Sequence, residues 1–168
     1  MTDAGGTIEL DPVQEADVEL LVELVGELAD YEQRRHEVLI DTADLREALF
    51  GPRRLCDALI ARAGGQPAGF AIWYYSFSTF RGRPNLYIED LYVRPAFRRL
   101  GVGQALVARL AGVAGERGCG RLEWSVLAWN EPAIAFYRAL GAEPVADWRV
   151  YQLSGRALRR LTEKPAAS

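Results

Sequence analysis

The sequence predicts an α/β domain built around a parallel strand pair. Three observations carry this reading. Residues 86–93 and 122–127 read as strands separated by a helical stretch over 101–116, which implies a right-handed β-α-β crossover. Residues 58–63 and 68–76 read as strands around Gly64-Gly65-Gln66-Pro67, a hairpin signal. The length, 168 residues, suits one domain whose core needs no staples.

The elements follow in order. Residues 7–10 form a short strand. Val18, Leu21, Val22, Val25, Leu28 and Ala29 recur at three- and four-residue steps and mark an amphipathic helix over 14–32. A second helix spans 42–50, with Asp41 or Thr42 as its cap and Gly51-Pro52 at its end. After the hairpin, Pro95 closes the 86–93 strand. Val102, Leu106, Leu110 and Val113 share one face of the next helix, which Gly118 to Gly120 stop. Asn130-Glu131-Pro132 opens a helix that Leu140-Gly141 ends. A last strand is expected at 150–153, and Ser154 caps a short tail helix. The order is β-α-α-β-β-β-α-β-α-β. One domain covers 7–162, without repeats or linkers, and the ends 1–6 and 163–168 read as flexible.

Composition excludes several classes of function. Apolar residues make up 49% and charged ones 26%, so the chain is not disordered. A net charge of −3 invites no nucleic acid. One histidine, His36, and two cysteines, Cys56 and Cys119, show no metal-ligand spacing, so no metal is expected. His36 sits in the polar run Glu32-Gln33-Arg34-Arg35-His36-Glu37, a poor place for the base of a nucleophilic triad. Two separated cysteines suggest reduced thiols and a cytoplasmic setting. No apolar run reaches the ~18 residues of a membrane span, and Met1 to Gly6 lack the form of a signal peptide.

An α/β sheet binds its ligand beyond the C-terminal ends of its strands. There the chain reads Arg98-Arg99-Leu100-Gly101-Val102-Gly103-Gln104. Gly101 and Gly103 let the backbone curl, and the helix that follows offers free N–H groups to a phosphate. A plain strand-to-helix turn reads the same way, and two glycines alone leave the two readings about even. The run is neither a Walker A loop nor a dinucleotide fingerprint.

Arg98-x-x-Gly101-x-Gly103 resembles the acetyl-CoA motif of the GNAT N-acetyltransferases. Tyr87-Ile88-Glu89-Asp90-Leu91-Tyr92-Val93-Arg94-Pro95 is similar to the strand before that motif in the diamine (spermidine/spermine) acetyltransferase branch. The run from Trp129 to Ala142 resembles that branch's second cofactor segment, and Leu28-Ala29-Asp30-Tyr31-Glu32 its first-helix end. The resemblance covers 7–162. It implies the GNAT fold: a central, mixed, mostly antiparallel sheet with a parallel, splayed strand pair and flanking helices. One departure stands out, since Arg99 occupies a place where the family usually has glycine.

The resemblance also implies a chemistry, transfer of an acetyl group from acetyl-CoA to an amine without metal. The amides of Arg99, Leu100, Gly101, Val102, Gly103 and Gln104 would hold the pyrophosphate, with Arg98 and Arg99 adding charge. The backbone of Leu91, Tyr92 and Val93 would take the pantetheine arm as a pseudo-strand, and the Val93 amide would face the oxyanion. Asn130, Ala133 and Tyr137 complete the cofactor side. Asn130 is equally an N-cap, and Tyr137 equally a half-buried core residue.

An alkyl ammonium has a pKa near ~10, so the acceptor must lose a proton. Glu89, a carboxylate in an apolar strand, reads as a buried charge and as the base, acting through water. Pairing with an arginine across the sheet is the competing reading. Tyr137 is the candidate acid for the leaving thiol. Tyr31, Glu32, Glu89, Glu123, Trp124 and Ser125 are the candidate acceptor wall, because a cation seeks carboxylates and aromatic faces. The expected acceptor is a small cationic amine: a polyamine, a diamine or a lysine-like amino acid. The alternatives are a protein or peptide amine, or a non-catalytic module that senses acyl-CoA. The branch implies a homodimer, with Trp148, Val150, Tyr151 and Leu153 as its exposed candidates. Neither nucleic acid nor membrane is an expected partner.

Overall fold

The computed structural model describes residues 7–163. The expected flexibility of 1–6 and 164–168 lies outside them, whereas Glu163 ends a helix. Five strands form one sheet: β1 (Ile8–Pro12), β2 (Asp57–Ala63), β3 (Gln66–Ser78), β4 (Arg83–Val93) and β5 (Leu122–Trp124). They lie in sequence order. Every neighbouring pair is antiparallel except β4 and β5, which are parallel. The chain divides into two units, Met1–Ser125 and Val126–Ser168.

The first unit carries the whole sheet and α1 (Val18–Tyr31), α2 (Thr42–Phe50) and α3 (Val102–Glu116). The apolar stripe expected over 14–32 starts as a 3₁₀ turn, Glu15–Asp17, before α1 begins. Asp41, not Thr42, caps α2: its Oδ1 accepts from the amides of Ala43 and Asp44 at 2.8 and 2.9 Å. Gly64 and Gly65 have φ of +56° and +75°, which a tight two-residue hairpin turn between β2 and β3 requires.

Each face of the sheet has its own core. Leu21 and Leu24 of α1 and Leu45 of α2 pack with Ile60, Phe70, Ile72 and Tyr92 on one face. Leu106 and Leu110 of α3 pack with Leu59, Trp73, Leu86 and Ile88 on the other. Arg94, just past β4, fastens α1 over its face. Its guanidinium bonds Glu27 at 2.6 Å and Glu23 at 2.7 Å. Gly118, with φ +65°, follows the end of α3.

Two expected strands differ. The strand expected over 122–127 stops at Trp124. The strand expected over 150–153 does not form, because its alternating apolar pattern has no neighbouring strand to pair with among the described residues. The second unit holds α4 (Glu131–Ala139) and α5 (Gly155–Glu163), with Trp148, Val150 and Tyr151 exposed between them.

Candidate active site

The site begins with a fault in β4. Ile72 of β3 pairs with Asp90, and the next residue, Trp73, pairs with Ile88. Glu89 is therefore an extra residue, a β-bulge. The bulge falls where the parallel pair ends. Leu86, Tyr87 and Ile88 pair with Leu122, Glu123 and Trp124, and β5 goes no further. From Glu89 to Val93, β4 has β3 on one side and no strand on the other among the described residues. An extended ligand that pairs through main-chain hydrogen bonds fits such an edge.

The bulge corrects one expectation. Glu89 is exposed, so it is not a buried charge; its neighbour Asp90 is the sequestered carboxylate. Asp90 lies on the α1 face, opposite Ile72. Burial, then the charges of Glu89 and Glu32, push its pKa up to about 6. Glu32, half-buried at the end of α1, is pushed up chiefly by burial, with Arg34 opposing. The charges of Glu89 and Glu32 thus both bear on Asp90 at the bulge.

Aromatic groups stand beside them. Tyr74 and Tyr87 pack with ring centroids 5.2 Å apart. Burial, then the Glu89 charge, push the Tyr74 hydroxyl up. The Tyr87 hydroxyl shares a 2.7 Å hydrogen bond with Ser125 Oγ. Glu123 takes a 3.0 Å ion pair from Arg121. Trp124 leaves this wall: it packs against the α3 core on the opposite face, because side chains alternate along β5. Sequence reasoning missed Asp90 and Tyr87. The adjacent acids Glu89-Asp90 were a signal, but without the bulge the burial was assigned to the wrong one.

Beyond β4 the chain makes a 3₁₀ turn, Pro95–Phe97, and then the glycine-bearing loop. Gly101 precedes α3 at φ +87°, and no side chain caps the first turn. Arg99 also has positive φ, +62°, the conformation that glycine, usual in the family at this place, adopts at least cost. Its side chain is exposed, as are Leu100 and Gln104, while Val102 is buried and Gly103 half-buried. A fifteen-residue helix with an uncapped start suits a diphosphate. Arg98 behaves differently. Its Nε donates to the Val93 carbonyl at 3.0 Å, and its guanidinium lies 4.6 Å from the ring centroid of Tyr31 and 5.9 Å from that of Tyr92. It points toward α1, not outward with Arg99.

In the second unit, Asn130 is buried and caps α4, its Oδ1 accepting from the Ala133 amide at 3.3 Å. Its capping reading therefore holds. Tyr137 is half-buried on α4, with its ring 5.2 Å from that of Phe136. His36 is exposed beside Glu37, and Cys56 and Cys119 are free thiols.

Comparisons with known proteins agree with this architecture. The acetyltransferase (GNAT) family matches residues 21–142. The chain is 36% identical to a thialysine N-epsilon-acetyltransferase of Bos taurus, across 90% of this chain and 95% of that protein. It is 34% identical to an L-ornithine N5-acetyltransferase of Arabidopsis thaliana, over 75% of this chain and 52% of that one. Among solved structures, an integron cassette protein from the mobile metagenome of V. cholerae superposes with a TM-score of 0.79 at 25% identity, covering 94% and 98% of the two chains. With its parallel pair ending at a bulge and a glycine loop leading into α3, the chain belongs to the GNAT family and is an acetyl-transferring enzyme.

Proposed function

We propose that the enzyme acetylates a primary amine of a small cationic acceptor: a polyamine, a diamine or a lysine-like amino acid. The observation that carries this is the sequestered Asp90 under the charges of Glu89 and Glu32 at the bulge, with Tyr74 and Tyr87 packed together beside it. Those charges repel one another, and an ammonium relieves that repulsion. The names of the relatives, which act on thialysine and ornithine, support the same acceptor class.

Acetyl-CoA, the family's co-substrate, supplies an acetyl group activated as a thioester. The open edge of Leu91, Tyr92 and Val93 pairs with its pantetheine arm, and the Val93 amide faces the carbonyl oxygen. The amides from Arg99 through Leu100, Gly101, Val102 and Gly103 to Gln104 hold the diphosphate, and Arg99 adds charge. Asn130 and Ala133 of α4 are assigned to the cofactor side by the family resemblance. Glu89, exposed at the bulge, takes the proton from the attacking amine through water. Glu32 and Asp90 hold the acceptor's cationic groups, with Tyr31, Glu123 and Ser125 around them. Tyr137 returns a proton to the leaving sulfur, a role it takes from the family's Asn-x-x-Ala-x-x-x-Tyr pattern.

We assign the protein to the cytoplasm, in keeping with its two free thiols. The working form is a homodimer. Trp148, Val150, Tyr151 and Leu153, all exposed, support this, and light scattering at micromolar concentration should return twice the chain mass. The function itself is tested by thiol release from acetyl-CoA against a panel of amines. Lysine-like amines and diamines should lead. Faster turnover of peptide N-termini or neutral monoamines would overturn the acceptor class.

A further inference from the structure

Each residue of a strand turns its N–H and C=O to one side, and the next residue turns them to the other. The Arg94 amide donates to the Ala68 carbonyl of β3 at 2.9 Å, so the main-chain groups of Val93 turn away from β3. Arg98 Nε takes the Val93 carbonyl there, and the Val93 N–H faces the side of β4 that has no strand among the described residues. On its other side β3 closes tightly. Gly69 stands opposite Val93, and a β-carbon there would run into the Tyr92 carbonyl.

The two neighbours of Val93 are held from α1 by one carboxylate. Arg94 Nε donates to both oxygens of Glu27, at 3.1 and 3.0 Å, and a second guanidinium nitrogen donates at 2.6 Å. The third donates to the Pro67 carbonyl of β3 at 3.2 Å. The Tyr92 hydroxyl also bonds Glu27, and its ring is buried in the core under α1. Glu23, largely exposed one turn earlier on α1, bonds Arg94 from outside at 2.7 Å. Tyr92 and Arg94 therefore both reach the α1 face, and Glu27 grips the chain immediately before and immediately after Val93.

A hydrogen-bond donor stabilises an oxyanion in proportion to how well it is aimed before the charge develops. A peptide unit on a strand edge, with no ladder bond on its outer side, is free to rock unless its flanking side chains are fixed. We propose that Glu27 is a positioning residue for acetyl transfer, and that through Tyr92 and Arg94 it holds the Val93 N–H in the direction of the developing oxyanion. It touches neither acetyl-CoA nor the amine. This rests on the acetyl-transfer reading above, in which the Val93 amide faces the carbonyl oxygen, and deepens it.

Thiol release from acetyl-CoA, with the fastest amine of the panel as acceptor, tests it well below the melting temperature of each variant. Loss of an oxyanion donor costs about 10²–10³ in kcat, and a donor left in place but loosened costs less. Glu27→Leu should lower kcat by about tenfold or more. KM for the amine, and acetyl-CoA affinity by calorimetry, should stay within about twofold. Glu27→Gln keeps an acceptor for Tyr92 and Arg94 and should recover part of the rate. Tyr92→Phe removes one hydroxyl, keeps the buried ring and should lower kcat by about threefold or more, so it decides the matter if Glu27→Leu does not fold. Glu23→Gln loosens Arg94 without touching Tyr92 and should leave kcat within about twofold. A kcat unchanged in both Glu27→Gln and Tyr92→Phe would overturn the proposal. So would a loss that Glu23→Gln reproduces, or one that acetyl-CoA affinity shares in full, since Glu27 would then only fasten α1. An unmodified enzyme that turns over peptide amines alone would overturn the small-amine reading and leave this one standing, because the oxyanion forms on the acetyl carbonyl whichever amine attacks.

Discussion

The guanidinium of Arg98 lies over the ring of Tyr31, 4.6 Å from its centroid, while its Nε holds the Val93 carbonyl. One side chain thus joins the end of α1, where Glu32 stands, to the last residue of β4. Stacking of this kind contributes about 0.5–2 kcal/mol. Tyr31→Leu should raise KM for the acceptor by about three- to tenfold, with a smaller change in acetyl-CoA affinity by calorimetry. Tyr31→Phe keeps the ring and should stay close to the unmodified enzyme. An equal loss in both variants would show that the hydroxyl matters and the stack does not.

Asp90 makes stability depend on pH. Its folded pKa, about 6, is above its ordinary 3.8. The protonated form favours the folded state. This contribution is complete below pH 4 and lost as pH rises through 6. Asp90→Asn should therefore match the unmodified protein in stability at pH 4 and exceed it at pH 8, by up to about 3 kcal/mol, with Tm following. The same substitution should weaken acceptor binding. A Tm difference of equal size at both pH values would mean that the Asp90 charge is not its source.

Arg99 combines an unfavourable backbone with a useful charge. Arg99→Gly should stabilise the fold by about 0.5–1 kcal/mol, a rise in Tm of roughly 2–4 °C. It should also lower acetyl-CoA affinity and reduce the dependence of that affinity on salt. Calorimetry at low and high ionic strength, beside a melting curve, separates the two effects. Affinity that does not respond would remove Arg99 from the diphosphate site.

Tyr137→Phe should lower kcat by ~10²–10⁴ while acetyl-CoA still binds. A kcat within about twofold of the unmodified enzyme would reject Tyr137 as the acid.

Much of the fold was legible because burial writes itself as period. The 3.6-residue stripe of α1, the two glycines of the hairpin and the Asp41 cap each carry a local physical cause. The bulge carries none. Glu89 and Asp90 are chemically alike, and which one is buried depends on pairing with β3, a partner distant in the chain. The same holds for Arg98, whose direction is set by Tyr31 on another element. The end of β5 and the unformed strand at 150–153 fail for a related reason: an alternating pattern states a capacity to pair, and pairing needs a neighbour. Glu32 and Glu89 came to notice from sequence, whereas Tyr87 and Asp90 join them only when β3 and β4 are laid side by side.

The bulge has one more consequence, for gene editing of the chain. Removing one residue from a strand ordinarily turns every later side chain to the wrong face. At Glu89 the arithmetic reverses. Leu86, Ile88, Leu91 and Val93 all face α3, while Asp90 and Tyr92 face α1, so the faces agree only if Glu89 is left uncounted. A codon deletion there yields a regular strand with each remaining side chain in its present place. Glu89 is surplus to the architecture, and its deletion should give a folded, inactive protein.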